Sequence, residues 1–268
     1  MAQTRKNKRT TVRMKRTFTQ KKGTAKLSPP VVKAVKNIVN AQSETKFRVG
    51  TVVTAGTAFT RGITSVAECY PCMPSVARST GEANSHTRIG DQISPTSLVI
   101  KGRVSFTYNT AVSRNITVHI FVLSAKAVRN WDNYTAIPIG SLLATGNGDD
   151  ATFNGTITNA ALPVQRDTFT VHKYLKFNLT KGYGVTNPAA GNATDSVILA
   201  QNSSRAFSIS LKPPKVLKYA DNAGLYPQNY APFLCMGWTY NDEPTAGDSP
   251  STLITMNVCQ THLRYKDD

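Results

Sequence analysis

Few residues in this chain carry reactive chemistry, and their spacing decides what they could do. Cys69 and Cys72 form a C-x-x-C in the stretch "ECYPCMP". Such a pair exchanges disulfides when a helix begins at the first cysteine, and it holds zinc when a second pair completes a tetrahedron. Here Pro71 precedes the second cysteine and Pro74 follows it, which breaks that helix, while Cys235 and Cys259 lie far apart in the chain. The reading is four free cysteines, neither metal ligands nor disulfide partners. Gly148-Asp149-Asp150 has the letters of a polymerase metal site, but a polymerase needs a far longer chain and further carboxylates. A Gly/Asp turn explains it, and calcium at a subunit contact is the ion chemistry its oxygens would suit. His86, His119, His172 and His262 are scattered, and no G-x-S-x-G nucleophile motif is present. No catalytic constellation, cofactor or metal site is expected, so the chain does not read as an enzyme.

Charge is the stronger signal. Arg5, Lys6, Lys8, Arg9, Arg13, Lys15, Arg16, Lys21, Lys22 and Lys26 place ten positive charges in the first 26 residues without one acid. Lys33 and Lys36 bring the number to 12 before the first acid, Glu44. The remaining 20 Lys and Arg face all 15 Asp and Glu, so the rest of the chain carries only +5 of the net +17. An acid-free cationic arm attracts polyanions, nucleic acid foremost. These 12 residues are the candidate nucleic-acid contacts. Only Phe18 could stack on a base, so binding is expected to be electrostatic and independent of sequence. "KNKR" and "MKR" would also serve as nuclear import elements.

Other uses of a basic start fit less well. No run of 18 apolar residues exists to span a membrane. The arm has only Val12, Met14 and Phe18 as sizeable apolar residues, too few for a membrane-surface face or a mitochondrial presequence. No apolar stretch follows it, as a secretory signal would require. Six N-x-[ST] sequons, at Asn115, Asn133, Asn154, Asn178, Asn192 and Asn202, are therefore read as unglycosylated, and four cysteines suit a reducing compartment.

The elements that would position these groups divide the chain in three. Residues 1–26 are expected to be a disordered arm that orders only on a polyanion. Residues 27–43 hold a short amphipathic helix over Pro29–Ala41, with Ser28 as cap. Val31, Val35 and Ile38 form a stripe for the body or a neighbouring copy, and Lys33 and Lys36 face a polyanion. Residues 44–268 are rich in alternating and β-branched runs at 46–55, 97–109, 115–125, 167–180, 205–213, 233–240 and 251–265, with a weaker eighth at 138–146. Long loops are expected at 69–91, 181–195 and 219–232, and no further helix. The fold class that follows is all-β, a single eight-stranded antiparallel jelly roll of two facing sheets.

The order of these parts resembles the capsid protein of small icosahedral viruses with circular single-stranded DNA genomes, the circovirus-like group that encodes a rolling-circle replication initiator. The resemblance runs from the basic arm and helix into "SETKF" (Ser43–Phe47), then "RIGDQISPTSLVIKGRV" (Arg88–Val104). It continues through "FTVHKYLKFNL" (Phe169–Leu179), "FSISLKPPKVLKY" (Phe207–Tyr219), "FLCMGWTYNDE" and "ITMNVCQTHLRYKD". It implies a self-assembling shell of 60 copies or a multiple, with the arm inside on a single-stranded genome, DNA as the first expectation and RNA as the alternative. It also implies partners in the host import machinery and an unidentified receptor, and a life in the virion and the host nucleus. With ~60 copies, the arms would supply roughly 700 positive charges to a genome carrying one negative charge per nucleotide. Two other readings share the features: the capsid protein of a positive-strand RNA virus, and a non-viral nucleic-acid-binding β-barrel with a basic tail.

Overall fold

The computed structural model describes residues 28–32, 34–35, 45–79, 86–106, 115–146, 150–180, 183–186, 196–199, 203–220, 224–241 and 252–267. By its contacts the chain divides into Met1–Gln42 and Ser43–Asp268. In the first unit, residues 29–32 and 34–35 are helical, and Val32 N–H donates to the Ser28 carbonyl at 3.0 Å. Val31 and Val35 are 44% and 47% exposed. Ile38 of the expected stripe lies outside the described residues.

The second unit is built from strands. In chain order they are β1 (Thr45–Val53), β2 (Thr57–Thr60), β3 (Cys69–Pro71), β4 (Gln92–Phe106), β5 (Ile116–Ala125), β6 (Leu143–Ala144) and β7 (Asp150–Ala151). After the short helix α1 (Ile157–Ala161) come β8 (Phe169–Leu179), β9 (Tyr183–Thr186), β10 (Ser196–Leu199), β11 (Ser204–Leu211), β12 (Leu217–Lys218), β13 (Phe233–Tyr240) and β14 (Thr252–Asp267). One large sheet has the order β1-β14-β4-β11, with β2 beside β14 and β12 beside β4. The other has the order β3-β13-β5-β8. All these pairings are antiparallel. The eight principal strands form nested pairs, β1 with β14, β3 with β13, β4 with β11 and β5 with β8, wound across the two sheets. That winding is the jelly roll.

Alternation explains the first sheet. Leu98, Ile100 and Val104 of β4 point into the core between the sheets, with Ile209 and Leu211 of β11 and Cys259, Leu263 and Tyr265 of β14. The second sheet contributes Val118, Ile120, Val122, Leu234, Met236 and Trp238 to the same core. Gly102 sits directly opposite Phe207, and a Cβ at this position would fall on the Phe207 ring. Gly102→Ala is expected to cost about 1–3 kcal/mol by overpacking, read as a lower denaturant midpoint with an unchanged slope.

The second sheet has a core on each side. Residues 126–146 and 150–168, between β5 and β8, fold back over its outer face. Val128, Ile137, Ile139, Leu142, Leu143 and Phe153 there pack on Phe121, Leu123, Phe169, Phe233 and Cys235. For this reason β13 is buried at all eight positions and β5 at every position but Ser124.

Four expectations are corrected. The run at 138–146 is not a jelly-roll strand: it forms a 3-10 turn at Ile139–Ser141 and the two-residue β6. Ile139, Leu142 and Leu143 all turn into the outer core, which a period-2 strand could not do with two adjacent leucines. The eighth strand is β3, inside the expected loop 69–91, where three residues are too short for alternation to show. The expected loop 181–195 contains β9, which pairs with β10 in a separate two-stranded sheet. A further helix does exist, α1, capped by the Thr156 hydroxyl, which accepts from Asn159 N–H at 3.2 Å.

Candidate nucleic-acid interface

The 12 candidate cations of the arm and helix, from Arg5 to Lys36, lie outside the described residues. Other residues singled out in the sequence are placed by the body. Arg88, in the stretch "RIGDQ", is fully buried. It donates to the carbonyls of Gly90 at 2.7 Å and Gly224 at 3.0 Å and to Asp91 Oδ1 at 3.1 Å, and lies 4.6 Å over the Tyr219 ring. It is a knot between the segments at 86–91 and 219–224, with no surface to offer a ligand. A second buried cation, Lys46 on β1, pairs with Asp267 of β14 and donates to the Thr87 carbonyl at 2.9 Å.

The two cysteines of the C-x-x-C point into different cores, Cys69 to the outer one and Cys72 to the one between the sheets. Burial pushes the Cys72 thiol well above its ordinary pKa, so it is held protonated. No group of three or more metal-ligating side chains occurs among the described residues. Among the histidines, His119 is fully buried on the outer side of β5. Its Nδ1 lies 2.6 Å from the Tyr174 hydroxyl and its Nε2 3.2 Å from Thr239 Oγ1. Burial, with a smaller effect of Lys176, lowers its pKa from 6.5 to about 4. His172 meets Ser124 Oγ at 2.8 Å, and burial lowers its pKa too.

The broad open surface of the body is the outward face of the first sheet. Register fixes its layout. Phe47 of β1 stands beside Arg264 of β14, and Val49 beside His262. Across β14, His262 neighbours Val99, Gln260 neighbours Lys101, and Val258 neighbours Arg103. Beyond β4, Lys101 and Arg103 neighbour Ser208 and Ala206 of β11. Long cationic side chains thus alternate with small ones, leaving a depression of about 540 Å³ beside Lys101, Arg103 and His262 and another of about 270 Å³ between Phe47, Lys101 and Arg264. The rings of Phe47 and His262 are 5.8 Å apart, and Arg264 lies 5.9 Å over Phe47. Asp267 is the one acid on β1, β4, β11 and β14, and it is spent on Lys46 and the Ile89 N–H. This face was not read from the sequence. Its signal was available as outward positions in "VIKGRV" and "CQTHLRY" that hold cations and no acid.

No family model matches the chain, and no curated protein matches it. Among solved structures it is similar to a chain from Desmodium yellow mottle tymovirus. The identity is 14% and the TM-score 0.30, and the match covers 84% of this chain and 89% of that one. It is also similar to a chain from a full particle of Israeli acute paralysis virus heated to 63 degrees. There the identity is 14% and the TM-score 0.26, and the match covers 98% of this chain and 81% of that one.

Proposed function

We propose that this chain is a viral capsid protein that assembles into an icosahedral shell and packages a single-stranded genome through its basic arm. The observation that carries the reading is the partition of charge: 12 cations precede the first acid, and they are joined to a jelly-roll body of only +5. A body of low net charge packs against copies of itself with little repulsion, while an acid-free arm releases condensed counterions from a polyanion. In this reading the protein is structural, resides in the virion, and enters the host nucleus if the genome is single-stranded DNA.

The test is size and content. The expressed full chain should elute as large particles with the ultraviolet absorbance ratio of a nucleoprotein. Replacing the ten cations of residues 1–26 by serine should leave shells that are largely empty. A monomer that binds nucleic acid would instead support the second reading, a non-viral β-barrel with a basic tail. Shells still full after the replacement would remove the arm's role. Digestion of the extracted nucleic acid by a nuclease specific for DNA or for RNA decides the genome chemistry.

A further inference from the structure

We propose that the outward face of the β1-β14-β4-β11 sheet is a second, structured binding site for single-stranded nucleic acid, with Lys101, Arg103 and Arg264 as phosphate contacts and Phe47 with His262 as a stacking platform. The proposal rests on the reading of the chain as a nucleic-acid-packaging protein and adds a site to it.

Three observations select this occupant. The first is charge: Lys101, Arg103 and Arg264 share the face with no carboxylate, because Asp267 is turned onto Lys46. A second copy docking through the same face would set these cations against their own equivalents, which is repulsive. A polyanion meets no such cost. The second is spacing. Lys101 and Arg103 are two residues apart on β4, about 7 Å along the strand, and Arg264 continues the line at the other side of His262. The stripe is roughly 20 Å long, room for a few nucleotides of an extended strand. The third is the texture between the cations. Phe47 is 37% exposed although apolar, with His262 on one side and Arg264 above it. An exposed ring flanked by cations is what an unpaired base stacks on. The smaller depression, beside the ring and lined by Ser97 and Val99, and the larger one beside Lys101 and Arg103 give a base or sugar a place to sit. Arg103 is already oriented, since it donates to Ser204 Oγ at 2.9 Å.

The experiment titrates labelled oligo-dT and oligo-rU into the full chain across a range of salt. Lys101→Ser/Arg103→Ser/Arg264→Ser in one chain should weaken binding at physiological salt by about tenfold, and should flatten the log affinity against log salt slope by about 2, near 0.7 per lost phosphate contact. Phe47→Ala should weaken binding by about tenfold with the slope unchanged, because stacking carries no counterion release. The charge-preserving Lys101→Arg/Arg103→Lys/Arg264→Lys chain should bind as the parent does, which separates loss of charge from loss of fold. A triple-serine chain with unaltered affinity and slope overturns the face while leaving the arm's role intact. A triple-serine chain that binds normally but no longer forms particles also overturns it, and makes the face a contact between copies. A parent chain that binds neither oligonucleotide overturns this site and the packaging reading together.

Discussion

Arg88→Ala should lower the stability of the folded body by about 3–5 kcal/mol. The guanidinium is fully buried and fills three acceptors within 3.1 Å, two of them backbone carbonyls of different segments. Alanine leaves those carbonyls without their charged donor and opens a void against the Tyr219 ring. Asp91 contributes less to this sum, since its side chain is 51% exposed and partly screened. For a domain of this size the loss should appear as a drop of about 10 °C in melting temperature. Arg88→Lys keeps the charge but not the planar fork that reaches both segments, so it should recover only part of the loss. A melting temperature within a degree or two of the parent for Arg88→Ala would show that the knot is not what joins 86–91 to 219–224.

Acid should weaken the body through His119. Its folded pKa is lowered from 6.5 to about 4, chiefly by burial. As pH falls below 6.5 the unfolded chain takes up a proton that the folded chain refuses, so stability present at neutral pH is lost as pH falls toward 4. The depressed pKa amounts to about 2 kcal/mol lost by pH ~5 and about 3 kcal/mol once both states are protonated. His172, also lowered by burial, acts in the same direction. Carboxylates titrate mostly below this range, so the interval from neutrality to pH ~5 reports on the histidines. Denaturant unfolding should show the parent losing stability across it and His119→Gln losing clearly less, whatever the variant's stability at neutrality. Equal slopes for the two proteins would mean that folding does not lower the pKa of His119.

Much of the architecture was legible because burial leaves a pattern. Residues 233–240 stand out as a nearly continuous apolar run since both faces of β13 are covered, and β14 and β11 show alternation since one face is covered. The pattern fails where packing is not periodic. In β4, Ser94-Pro95-Thr96 interrupts the alternation and hides the strand's first five residues. The covering of residues 126–168 is made of single turns and two-residue strands, whose apolar positions follow the shape of the sheet beneath and no repeat of their own. Arg88 could be picked out as part of a motif, but a buried arginine and an exposed one look alike in sequence. The open face was illegible for a different reason. Lys101 and Arg103 are far from Arg264 in the chain, and only the register of β4 on β14 brings the three into one line. The arm is the opposite case: its acid-free charge is a matter of composition and needs no fold to be seen.

The place of β14 has a consequence for how the molecule is made. This strand is the latest of the described strands in chain order, yet it lies at the centre of its sheet, hydrogen-bonded to β1, β4 and β2. During synthesis the cationic arm emerges before the body, and β14 after the other described strands. Until residues 252–267 have left the ribosome, β1 has no partner, Lys46 has no Asp267, and the row of cations on β4 has no neighbour bearing Arg264. Pairing the start of the body with its end closes the longest loop the body has, and such closure is slow. A nascent or broken chain without residues 252–267 therefore carries the arm's charge while its first sheet is still open, with β1 and β4 unjoined.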